Sequence, residues 1–172
     1  MIGLINSSVI FFKFYIMFTS EINKILRRNR RTNASYIGCF PADRIPSGRG
    51  LVFPHCMVVN TDNSSLPGSH WVAIYVESPK QCDYFDSLAQ WPPKSPEISS
   101  YLQKFNHVNR LKEAIQSSLS LSCGKHVIYF LHHRCQGWSL QRIVRHLSHC
   151  KTDGDRLVSE FVRKFVFEHP HH

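Results

Sequence analysis

The stretch GSHWVAIYVESPKQCDYFDSL, Gly68 to Leu88, constrains this chain more than any other. Trp71, Val72, Ala73, Ile74, Tyr75 and Val76 form an unbroken apolar run rich in β-branched and aromatic side chains, preceded by the turn signal Leu66-Pro67-Gly68-Ser69. Ser78-Pro79-Lys80-Gln81 then separates it from a second run, CDYFDSL. Two such runs joined by a short polar connection read as a β-hairpin. A turn near Pro79 sets His70 opposite Leu88 and Asp86 opposite Val72. A small change of register or a bulge would bring Asp86 beside His70, since opposed side chains sit about 4.5–5.5 Å apart at Cβ. Alternation puts Asp86 and Tyr84 on one face of their strand, Asp83 and Phe85 on the other. A carboxylate next to an imidazole accepts from one ring nitrogen, fixes the tautomer and leaves the other nitrogen to act as a base. The plainer readings are His70 as a solvated strand cap and Asp86 as a turn former.

Around this hairpin the pattern alternates. Ser20-Glu21 with Ile22, Ile25 and Leu26 reads as an N-capped helix ending in RRNRR, a solvated turn or an anion contact through Arg27, Arg28, Arg30 and Arg31. IGCFPADRIPSGRG is turn-rich and is expected to cross the surface. LVFPHCMVVNT is a strand whose first half is weakened by Pro54. EISSYLQKFNHVNRLKEAI carries apolar residues at helical spacing, and SCGKHVIYFLHHRCQG predicts a buried helix stopped at Gly137. SLQRIVRHLSHC and DRLVSEFVRKFVF predict two amphipathic helices, capped by Ser139 and by Asp153 or Asp155. Helix, strands, then helices imply an α+β domain: a small, mostly antiparallel sheet flanked by helices. At 172 residues the chain suits one domain, read as 18–172. Residues 1–17 are an apolar extension without a basic n-region or cleavage site, and Met17 offers an alternative start.

The hairpin lacks a nucleophile, and QSSLSLSCG supplies one. Cys123 follows a polar, Ser-rich loop and opens an apolar helix, where unpaired N–H groups and the macrodipole stabilise a thiolate. Gly124 permits close approach of backbone to substrate. Of the six cysteines, Cys39, Cys56 and Cys82 lie in or beside strands and Cys135 lies near a helix end. With 42% hydrophobic residues the chain needs no disulfide framework. Reduced thiols in the nucleus or cytoplasm are the expectation. The net charge of +9 favours anionic partners without choosing among them.

His70-Trp71, Asp86, Gln116 and Cys123-Gly124, in that order, resemble the adenovirus-type cysteine proteases and their ubiquitin-like-protein-specific cousins. FTSEINKILRRN, FPADRIP, HWVAIYVE, YFDSL, CGKHVIYFLHHRCQG and DRLVSEFV look like the branch encoded by Maverick/Polinton transposons, from Phe18 to Phe167. The resemblance implies a papain-like fold with Cys123 leading the central helix. It implies that Cys123 is the nucleophile, His70 the base and then the acid, and Asp86 its orienting partner. Gln116 would donate to the oxyanion beside the Cys123 N–H, Gly124 would flank the substrate channel, and Trp71 would either pack beside that channel or serve as a plain core aromatic. The implied reaction is hydrolysis of peptide bonds near glycines, in structural proteins of a virus-like element, by a monomer that needs no cofactor. The adenoviral relative is activated by DNA and by a short peptide, so DNA or a peptide activator is the corresponding expectation here.

Three other readings accompany this one. The same catalytic set serves proteases that remove SUMO-like modifiers. A nucleic-acid-binding module without catalysis would use the basic charge. A structural zinc could be held among His132, His133, Cys135, His146, His149 and Cys150, although these sit on amphipathic helices whose surface polarity explains them. No metal is expected, and no membrane span.

Overall fold

The computed structural model describes residues 17–149 and 153–167; the apolar extension before Met17, Cys150 and the C-terminal HPHH lie outside them. Five strands form one mixed sheet in the order β1 (Tyr36–Pro41), β2 (His55–Asn60), β3 (Trp71–Ser78), β4 (Gln81–Phe85), β5 (His107–Arg110). β3 is antiparallel to β2 and β4, whereas the outer pairs β1/β2 and β4/β5 are parallel. Central position and coverage on both faces explain why Trp71 to Val76 is apolar without alternation. The sheet is therefore antiparallel at its centre and mixed overall.

The helices are α1 (Thr19–Arg28), α2 (Pro96–Leu102), α3 (Cys123–Arg134), α4 (Leu140–His149) and α5 (Gly154–Phe167). One apolar layer holds Trp71, Ala73, Tyr75 and Phe85 against Val127, Phe130 and Leu131 of α3, with α1, α4 and α5 packed around it. Phe85 stacks on Phe130 with ring centroids 4.4 Å apart. On the opposite face Val72, Ile74, Val76 and Tyr84 meet Ala42 of a short 3₁₀ turn and Ile98, Tyr101 and Leu102 of α2. α3 is buried along nearly its whole length and stops where Gly137 takes a left-handed φ of 88°.

Several sequence expectations are corrected. α1 starts one residue before Ser20, because the Glu21 carboxylate accepts from the Phe18 N–H at 2.9 Å and closes the first turn there. Residues 36–41, read as a surface turn, form an edge strand, whose register shifts at Gly38 (φ 147°). Helical spacing after Pro96 breaks at Leu102, and His107–Arg110 is a strand, because the free edge of β4 offers it a ladder of hydrogen bonds. Ser139 does cap α4, its Oγ accepting from the Arg142 N–H at 3.2 Å. Asp153 serves α5, accepting from the Asp155 N–H at 3.1 Å.

Candidate active site

His70 sits immediately before β3 and Asp86 immediately after β4, at the open end of the hairpin. The ladder keeps Ala73 opposite Phe85 and Ile74 opposite Tyr84, and its irregularity lies at the other end, between Val76 and Ser78. No register change is needed to bring the pair together. They are diagonal neighbours whose chains leave the ladder at the same point, and His70 Nε2 lies 2.7 Å from Asp86 Oδ1. Asp86 is 2% exposed, and the same oxygen accepts from the Leu88 N–H at 2.9 Å. The His70 carbonyl accepts from the Thr61 N–H at 2.9 Å, which ties this corner to the end of β2.

With Nε2 committed to Asp86, Nδ1 is the ring nitrogen left for chemistry, and Cys123 is the second side chain that acts on the imidazole. Burial alone would lower the His70 pKa. The hydrogen bonds to Asp86 and Cys123, and the charge of the carboxylate, outweigh it and raise the value to about 9. At neutral pH this imidazole is an imidazolium held between the buried Asp86 carboxylate and the Cys123 sulfur.

Cys123 is the first residue of α3 and is 5% exposed. Neither its N–H nor that of Gly124 has an acceptor among the described residues, as the first turn of a helix requires. His70, Cys123 and Gln116 line one cleft of about 230 Å³, together with Thr61, Leu88 and Leu121. A larger groove of about 410 Å³, lined by Ala42, Pro96 and Tyr101, lies on the opposite face of the sheet. It contains none of these side chains.

Gln116 is brought in by Ser87, the residue after Asp86. The Ser87 carbonyl accepts from the Gln116 N–H at 3.1 Å, and its hydroxyl donates to Gln116 Oε1 at 2.6 Å. The amide nitrogen donates to the Ser120 carbonyl at 2.8 Å, which only an N–H can do, so the orientation is fixed and a second N–H remains. Adjacent residues at the end of β4 thus hold the two halves of the cleft, Asp86 the imidazole and Ser87 the amide. Ser87 escaped the sequence reading because its partner is 29 residues away.

Two site assignments change. Trp71 does not line the cleft: it belongs to the core, 7% exposed, and donates its indole N–H to the Met17 carbonyl at 2.9 Å. Gly124 faces the same segment, since a Cβ there would stand 3.0 Å from Met17 Cβ. Met17 therefore packs against Trp71 and Gly124, the two residues expected to flank a substrate channel.

Arg27, Arg28, Arg30 and Arg31 are all exposed. The described residues hold no group of three or more His, Cys, Asp or Glu arranged for a metal. His146 Nδ1 pairs with the Tyr129 hydroxyl at 2.6 Å, and His133 Nδ1 with the Tyr129 carbonyl at 2.8 Å. No described helix is long and apolar enough to cross a membrane.

No family model matches the sequence, and no curated protein does. Solved structures match. A protease of ASFV superposes with a TM-score of 0.58 at 17% identity, covering 86% of this chain and 66% of its own. The SUMO protease Ulp1, with its catalytic cysteine oxidised to a sulfinic acid, gives 0.57 at 14% identity, covering 89% of this chain and 78% of its own. The C-terminal Ulp1 protease domain in complex with SMT3, the yeast ortholog of SUMO, gives 0.51 at 15%, over 88% and 78%. The fold is that of Ulp1-like cysteine proteases. The chain spans just under two thirds of the ASFV enzyme's length.

Proposed function

We propose that this chain is a cysteine endopeptidase. The observation that carries the reading is His70, bound through Nε2 to the buried Asp86 carboxylate and lining one open cleft with Cys123, the first residue of α3. Asp86 holds the imidazole. Cys123 attacks the scissile carbonyl carbon as thiolate, and His70 then gives its proton to the leaving amine, so that acylation needs no further acid. The oxyanion formed on the way accepts from the free Gln116 amide N–H and the Cys123 N–H. Water, deprotonated by the now neutral His70, hydrolyses the thioester.

The substrates in this reading are proteins cut near glycines, as the motif resemblance to proteases of Maverick/Polinton-type elements implies. Structural proteins of such an element are the natural class. Removal of a SUMO-like modifier is the alternative within the same chemistry, and Ulp1 is its representative among the structural neighbours. DNA belongs to the proposal as an activator bound at Arg27, Arg28, Arg30 and Arg31. The nucleus, the cytoplasm or a virus-like particle suits the five free cysteines of the described residues.

The test is mass-spectrometric profiling of a diverse peptide library, with and without DNA, under reducing conditions. The full chain is expected to cut a subset of peptides and Cys123→Ala none. Cleavage that survives Cys123→Ala would sink the mechanism, and a diglycine-only profile would favour the modifier protease.

A further inference from the structure

Ser122 stands at the N-cap of α3, where a serine hydroxyl ordinarily accepts from an N–H of the first helical turn. Here it makes no such bond. Its Oγ instead donates to Asp155 Oδ1, on the first turn of α5. The other oxygen, Oδ2, accepts from the Ser117 N–H at 3.1 Å. One carboxylate, 8% exposed, thereby grips both ends of the loop that runs from Gln116 to Cys123. Inside that loop Ser120 Oγ donates to Ser122 Oγ at 2.8 Å, while the Ser120 carbonyl receives the Gln116 amide. The charged neighbour of Asp155 is Lys125, whose ammonium also donates to Ser159 at 3.1 Å, while His126, held neutral by burial, brings its Nε2 to 3.7 Å.

The consequence concerns the two amide donors. Were Ser122 Oγ to cap α3, it would fold over the helix start that must stay open beside the thiol. Were residue 117 released, the Gln116 side chain would lose the loop that aims it. We propose that Asp155 is a positioning residue that keeps the oxyanion site open and assembled, acting through Ser122 and Ser117. This role rests on the cysteine-protease reading. It leaves the His70–Cys123 pair untouched, because neither side chain contacts Asp155.

Two small electrophiles separate these functions without a known substrate. Iodoacetamide alkylates the thiolate by displacement at carbon and forms no oxyanion. p-Nitrophenyl acetate is attacked at its carbonyl carbon: a C–S bond forms, the π pair moves to oxygen, and its return expels p-nitrophenolate. Both rates are measured on the full chain, with Cys123→Ala subtracting the other thiols. Asp155→Asn is nearly isosteric but replaces one accepting oxygen with an NH₂ group. It is expected to slow acylation by about tenfold or more while changing alkylation by less than about twofold. Ser122→Ala cuts the same contact from the helix side and is read in parallel, so that a folding failure of one variant does not decide the matter. Equal losses in both reactions, or no loss in either, overturn the positioning role and leave the protease reading standing. If Cys123 of the unaltered chain reacts no faster than the Cys123→Ala background with either reagent, the protease reading itself fails, and this role with it.

Discussion

Replacing Asp86 by Asn separates charge from hydrogen bonding at the centre of the site. Both bonds that Asp86 accepts, from His70 and from the Leu88 N–H, end on the same oxygen, Oδ1. An asparagine oxygen in that place keeps both and deletes only the charge. His70 titrates near 6.5 when unfolded and at about 9 in the folded protein. A folded-state pKa above the unfolded one stabilises the fold fully below pH 6.5, and the stabilisation fades as pH rises through about 9. At about 1.36 kcal/mol per pKa unit, the interval corresponds to an upper value on the order of 3 kcal/mol. Cys123 supplies part of it, so Asp86→Asn is expected to cost about 1–3 kcal/mol at pH 6 and little above pH 9. Urea unfolding of both proteins at half-unit steps from pH 6 to 9.5 reads this directly. The pH-dependence of Cys123 alkylation is expected to lose its alkaline limb near 9 and to acquire one at lower pH. A stability difference that is flat across the range would refute the electrostatic account, leaving Asp86 a packing residue.

Three further outcomes follow from the contacts described. Gln116→Leu removes one oxyanion donor while keeping the side chain's bulk, and should lower kcat by about 10²–10³ with KM nearly unchanged; a purely KM effect in steady-state kinetics would assign Gln116 to binding. Arg134, at the far end of α3, donates to Asp83 at 2.7 Å and Glu77 at 3.0 Å and lies over Tyr75. Arg134→Met strands the buried Asp83 carboxylate and should cost about 3–5 kcal/mol in chemical denaturation, with a value below about 1 kcal/mol contradicting a structural ion pair. Reversing Arg27, Arg28, Arg30 and Arg31 to Glu should weaken duplex DNA binding and flatten its dependence on salt; an unchanged slope in fluorescence anisotropy would move the DNA contact elsewhere.

The residues legible in the sequence were those whose signals are local. The apolar run of β3 and the turn at Pro79 set the hairpin and its pairing, because strand register follows from counting along two adjacent segments, whereas the diagonal meeting of His70 with Asp86 without a change of register is seen only in the folded chain. The Ser-rich approach to an apolar helix announced Cys123 at its head for the same reason. Chain-distant contacts decided the rest. Nothing in HVNR distinguishes a strand from the tail of a helix until the free edge of β4 lies beside it. Trp71 reads equally as channel wall or core, and only the Met17 carbonyl, 54 residues away in sequence, settled it as core. Ser87 and Asp155 look like an ordinary turn serine and an ordinary helix cap. Their work depends on hydrogen bonds to Gln116 and Ser122 across 29 and 33 residues. By itself the sequence determined which side chains could do chemistry and in what order they come. Packing α3 against the hairpin and α5 against α3 decided which polar groups meet, since hydrogen bonds of this length require atoms within about 3 Å and only the folded chain brings them there.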